Sequence, residues 1–204
     1  MRLSEKTLEL TICNQIATHL GRRMVWFGLT QEQEARAGFD ACTQLGGRIL
    51  ILQFKASNTF VRGVRRFHLP HRQLVQLRWR ARHTLRRGIY FVLPLVGTTR
   101  ELAANPDLIP QTWLLNPLDI PRIHHPTTRA GTVRRNGIHY ADVTPPIITI
   151  HSEPVEAKLH RASDNFERVI QSAPHIREAF PEGLEQFLYF RHLLPRKSVG
   201  VIIA

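Results

Sequence analysis

Leu8, Ile12 and Ile16 fall one helical turn apart behind Ser4, a good helix cap, and Gly21 follows as a stop. This spacing predicts a helix over residues 4–20. The period then shortens. Residues 22–29 (RRMVWFGL) and 38–43 (GFDACT) predict strands, and the polar residues 30–37 between them read as loop or a short helical turn. Residues 44–47 predict a turn, and 48–55 (RILILQFK) a third strand dense in branched apolar side chains.

Helical spacing returns over residues 68–87, with Pro70 in the first turn. Leu74, Leu77, Ala81 and Leu85 form the apolar stripe, Arg78, Arg82 and Arg86 a row beside it, and Gly88 the stop. Residues 89–96 predict a strand whose Pro94 suits an edge or a strand end. A short helix over 98–104 and a strand over 112–115 follow. Helix, three strands, helix, strand is an α/β order with a mixed central sheet. Regularity weakens beyond Asp119: residues 116–154, rich in proline and histidine, read as an irregular connection with short strands at 138–143 and 147–151. Residues 155–172 and 174–192 read as helical and 199–203 as a last strand. The expected organisation is an α/β core over 1–118 with a less regular, partly helical extension over 119–204 packed on it; no internal repeat is visible.

Composition adds bounds. With 204 residues, 43% of them hydrophobic, the chain can bury one sizeable core. Cys13 and Cys42 form no CxxC pair and read as reduced core thiols. No apolar run reaches the ~18 residues of a membrane span, and the first ten residues lack a signal-peptide layout, so a cytoplasmic protein is expected. Charge changes the picture more. The net charge is +12, and no acidic residue lies between Asp40 and Glu101, where eleven of twelve basic residues are arginine. Arginine binds phosphate bidentately, so a polyanion is the expected partner. Arg62, Arg65, Arg66, Arg72, Arg78, Arg82 and Arg86 are the expected nucleic-acid contacts.

The candidate chemistry lies in the hairpin. A two-residue turn at Gly46-Gly47 would pair positions whose numbers sum to 93, setting Asp40 opposite Gln53. Lys55, two residues on, shares that face, while Leu50, Leu52 and Phe54 point to the other. A hard divalent cation could take the Asp40 carboxylate, the Gln53 amide oxygen and the Phe54 carbonyl, and Lys55 could meet charge on a phosphoryl group.

Gly38-Phe39-Asp40, a hairpin, then Gln53-Phe54-Lys55 resembles the PD-(D/E)XK nuclease superfamily in its D…QxK variant. The element order over residues 3–96 resembles that superfamily's αβββαβ core. The resemblance implies a restriction-endonuclease-like fold, cleavage of DNA and less often RNA with Mg²⁺ or Mn²⁺, and a role in defence or repair. It also implies an acid on the first helix: Glu5, slightly preferred and also a candidate metal ligand, or Glu9, with Glu34 a third candidate. Phe39 stands where the family name has proline, and Gln53 replaces a carboxylate, leaving one of these acids to compensate.

Two other readings stay open: a non-catalytic nucleic-acid-binding module, and a subunit whose basic face meets an acidic protein. A homodimer, or a partner supplying an ATPase or targeting function, is also open, since the sequence has no P-loop, GxGxxG or GxSxG. His124, His125, His139 and His151 read as surface or core histidines, and Trp26, Trp79 and Trp113 as core or interface residues.

Overall fold

The computed structural model describes residues 1–21, 24–30, 32, 34, 38–45, 48–57, 59–83, 88–124, 137–151, 155–171 and 201–203. The fold is mixed α/β. Helix α1 (Glu5–His19) starts where Thr7 N–H donates to Ser4 Oγ over 3.0 Å, and it buries Leu8, Ile12 and Ile16 as their spacing predicts. Strands β1 (Trp26–Gly28), β2 (Ala41–Leu45) and β3 (Arg48–Phe54) follow. Between β1 and β2, Glu32 and Glu34 are helical; Glu34 N–H donates to Thr30 O over 2.8 Å and Gly38 N–H to Glu34 O over 2.7 Å.

An unexpected hairpin comes next. Strands β4 (Thr59–Val61) and β5 (Val64–Pro70) flank Arg62 and Gly63, whose φ values of 54° and 79° are those of a two-residue turn with positive φ at both positions. The expected helix from residue 68 is therefore corrected. Residues 68–70 are strand, with Pro70 opposite Ile138, and helix α2 (His71–His83) begins one residue later. The hairpin hides in the sequence because Arg65 stands at an inward position between β4 and Phe67, where an apolar residue would complete the alternation.

Strand β6 (Ile89–Pro94), ending at its proline, precedes helix α3 (Thr99–Ala104) and β7 (Thr112–Leu115). Strands β8 (Ile138–Thr144), β9 (Ile147–Ile150), β10 (Val155–Lys158) and β11 (His160–Arg161) lead into helix α4 (Ala162–Gln171), and β12 (Val201–Ile203) is last. The helix expected to begin at 155 thus starts at Ala162; Ala157 of β10 and Leu159, between β10 and β11, are buried. The helix read at 174–192 lies outside the described residues.

A mixed sheet runs β11–β7–β6–β3–β2–β1–β12, with β3 and β6 parallel and the other pairs antiparallel. A second sheet runs β10–β9–β8–β5–β4, joining strands from both sides of residue 118. Leu50, Leu52, Phe54 and Val92 pack on one face of the mixed sheet with α1 and Phe166 of α4. Ile51, Ile89, Phe91 and Leu93 pack on the other with α2 and the second sheet. Cys13 and Cys42 are buried free thiols, one in each core. Among the described residues no helix is long and apolar enough to cross a membrane.

Candidate functional site

The hairpin register is the expected one: Ala41 pairs with Leu52, Cys42 with Ile51, Thr43 with Leu50 and Leu45 with Arg48. Gly46 and Gly47 lie outside the described residues. Asp40 extends the ladder, its N–H donating to Leu52 O over 3.1 Å and its carbonyl accepting from Leu29 N–H over 3.0 Å. Lys55 extends it at the other side, its N–H donating to Val92 O of the parallel strand over 3.0 Å. The three side chains therefore meet at the C-terminal end of β3, beside its parallel neighbour β6.

Gln53 Nε2 donates to Asp40 Oδ2 over 2.6 Å and to Phe54 O over 3.1 Å, and Phe54 N–H donates to the same Oδ2 over 2.7 Å. Both partners of the amide nitrogen are acceptors, so its NH₂ must face them. Gln53 Oε1 is consequently turned away from Asp40, buried and without a hydrogen-bond partner among the described residues. An unsatisfied buried acceptor costs about 1–3 kcal/mol.

Lys55, 7% exposed, donates from Nζ to both oxygens of Glu5 at 3.3 Å, and Ala56 N–H reaches Glu5 Oε1 over 3.4 Å. Glu5 thus comes from the start of α1 to the end of β3, as its position predicts. Glu9, one turn further, is 2% exposed and takes Lys6 Nζ at 2.8 and 3.0 Å. Burial pushes the Asp40 carboxyl up to about 6; Lys55 and the Phe54 N–H oppose this, and Glu5 and Glu34 add to it. Burial raises Glu9 as well, against Lys6 and with Asp40. Glu34 is raised by burial, with Glu9 and Glu5 adding and Lys6 and Lys55 opposing. All three candidate acids therefore share one electrostatic neighbourhood with Asp40: four carboxyls against two ammoniums. That excess of negative charge is local to a chain that is otherwise strongly basic.

Among the described residues, no group of three or more His, Cys, Asp or Glu side chains is disposed to hold a metal ion. The donors that do fit a hard cation are mixed: the Asp40 carboxylate, the Phe54 carbonyl and the partnerless Gln53 Oε1. A half-turn of the amide would bring Oε1 to the position its NH₂ occupies, giving three oxygens at one point.

The arginines divide. Arg62, Arg72 and Arg82 are exposed, and Arg86 lies outside the described residues. Three others make contacts within the protein. Arg65, 4% exposed, binds Glu101 Oε1 over 2.7 Å and Ser57 O, and its guanidinium lies 4.3 Å from the Phe60 ring centroid. Arg66 makes a two-pronged pair with Asp142 at 2.6 and 2.8 Å. Arg78 donates to Pro117 O over 3.1 Å and to Ile120 O, so it is not the solvent-facing residue expected. Glu101, Asp142 and the Pro117 and Ile120 carbonyls lie 36 or more positions away in sequence, out of reach of a local pattern. His139 is a core histidine, its Nε2 lying 2.9 Å from His71 Nδ1. Trp26 is buried, whereas Trp79 is 58% exposed.

No protein-family model, no curated protein and no solved structure matches the chain.

Proposed function

We propose that the chain is a metal-dependent phosphodiesterase acting on nucleic acid, DNA in preference to RNA, on a restriction-endonuclease-like αβββαβ core interrupted by the β4–β5 hairpin. The observation that carries this reading is the meeting of Asp40, Gln53 and Lys55 at one strand end, with an amide oxygen buried there and unpartnered. Asp40, Gln53 Oε1 and Phe54 O would hold Mg²⁺ or Mn²⁺, with Glu5, Glu9 and Glu34 adding the negative charge that neutral Gln53 does not. The ion would supply neutralisation of the scissile phosphate and acidification of a water.

The protein's own groups have distinct tasks in this reading. Glu5 holds Lys55 Nζ at the strand end, so the ammonium is in place before substrate arrives. Lys55 then donates to a phosphoryl oxygen as negative charge grows there, an interaction stronger in the transition state than in the ground state. Exposed Arg62, Arg72 and Arg82 hold the backbone.

The absence of a three-acid ligand group among the described residues favours a second reading, a binding module on the same fold. One assay separates the two: plasmid DNA and RNA incubated with Mg²⁺, Mn²⁺ or EDTA. Cleavage with either metal and none with EDTA supports the phosphodiesterase. Binding without cleavage of any substrate supports the module.

A further inference from the structure

Helix α2 has two opposed stripes. Leu74, Leu77 and Ala81 are buried in the core, while Arg72, Val75, Trp79 and Arg82 face solvent at intervals of three, four and three residues, a single line along the outer face. Trp79 is 58% and Val75 44% exposed. An arginine stands at each end of this apolar line, about 15 Å apart along the axis. The helix carries no acidic residue, although its first turn would favour one. Arg78 and Arg82, one turn apart, also repel each other: burial lowers the Arg78 pKa and the charge of Arg82 lowers it further. The sequence therefore keeps a cationic helix at some expense to the helix itself.

The stripe borders the candidate site. Gln76, beside it on the helix, packs so closely on Gly38 that a Cβ there would lie 2.9 Å from Gln76 Oε1, at a φ of +79°. The Arg80 guanidinium lies 5.9 Å from the ring centroid of Phe39. Gly38 and Phe39 lead directly into Asp40.

We infer that Trp79 is a stacking platform for an unpaired base, with Arg72 and Arg82 on the flanking phosphates, so that this face of α2 receives a single-stranded segment of nucleic acid. The inference deepens the nucleic-acid reading above and rests on it. An indole offers its face to any base whose own face is open, and paired bases inside a duplex have none to offer. Arginine on both sides of the ring matches the phosphates on both sides of a stacked nucleotide.

The test is fluorescence anisotropy with labelled oligo(dT) and with a duplex of the same length, in EDTA so that nothing is cut. Trp79→Ala should weaken oligo(dT) binding about tenfold or more and duplex binding much less. Trp79→Phe should recover most of the loss, because an aromatic face is restored. Arg72→Ala with Arg82→Ala should flatten the salt dependence on oligo(dT), the slope falling by about 0.7 for each phosphate no longer neutralised. Equal affinity of Trp79→Ala and wild type for oligo(dT), or an equal loss on both ligands, overturns the platform. If the Trp79 effect appears but Mg²⁺ and Mn²⁺ support no cleavage, the phosphodiesterase reading fails alone. If wild type binds neither ligand, both fail and the stripe belongs to a protein partner.

Discussion

Gln53 approaches Asp40 as a donor, Nε2 to Oδ2 at 2.6 Å, although the register sets it where a second oxygen ligand would stand. The amide has two ends, and which end faces Asp40 depends on what lies between. A cation bound to Asp40 should turn it. Titration of Mg²⁺ into ¹⁵N-labelled protein should shift the Gln53 side-chain NH₂ resonances, assigned by their loss in Gln53→Ala, as the two hydrogen bonds to Asp40 and Phe54 break. In Asp40→Asn the same resonances should not move on Mg²⁺ addition.

The raised Asp40 carboxyl sets a pH window. Its folded pKa of about 6 lies above the ordinary value of 3.8, so the folded protein holds a proton the unfolded chain has released. Its contribution to stability is full below about 4 and is lost as pH rises through about 6. Asp40→Asn keeps an oxygen for Gln53 and Phe54 without the buried charge, so its stability should show less of that decline in urea titrations from pH 4 to 8. Divalent-ion affinity should run the opposite way. It should fall about tenfold per unit as pH drops below about 6, because a proton and the cation compete for one carboxylate.

Gln53→Glu puts a carboxylate where Asp40 now receives an N–H. Without metal, two buried carboxylates should repel, and the variant should unfold at lower urea in EDTA than wild type. With Mg²⁺ or Mn²⁺ the added charge should tighten ion binding, and cleavage should survive. Metal-dependent recovery of the denaturation midpoint checks this.

The two kinds of arginine should separate in the same measurement. Arg65→Ala leaves Glu101 and Ser57 O without their donor, so it should cost about 1–3 kcal/mol, read as a lower midpoint at unchanged slope. Arg62→Ala and Arg72→Ala, on exposed side chains, should stay within about 0.5 kcal/mol.

The strand register was legible because strand geometry is local: the pairing of β2 with β3 sets which side chains share a face. Asp40, Gln53 and Lys55 follow from that arithmetic, and Glu5 from its place at the start of a capped helix. The amide's orientation was not legible, since it is decided by which neighbours accept and which donate. The β4–β5 hairpin escaped because Arg65 fills an inward position, tolerated only because Glu101 lies 36 residues away in sequence and beside it in space. Long-range pairing likewise gives Arg66 and Arg78 partners that no local pattern shows. Trp79 read as a core or interface residue, and only its exposure rules out the core.

The decisive experiment follows cleavage and binding together in wild type, Asp40→Asn and Lys55→Ala, on plasmid DNA and single-stranded DNA with Mn²⁺. Wild type should cut, both variants should lose at least a hundredfold in rate, equivalent to about 3 kcal/mol at the transition state, and all three should bind oligo(dT) within about threefold of one another. Cleavage by Asp40→Asn at the wild-type rate, or no cleavage by wild type on any substrate, would contradict the phosphodiesterase reading.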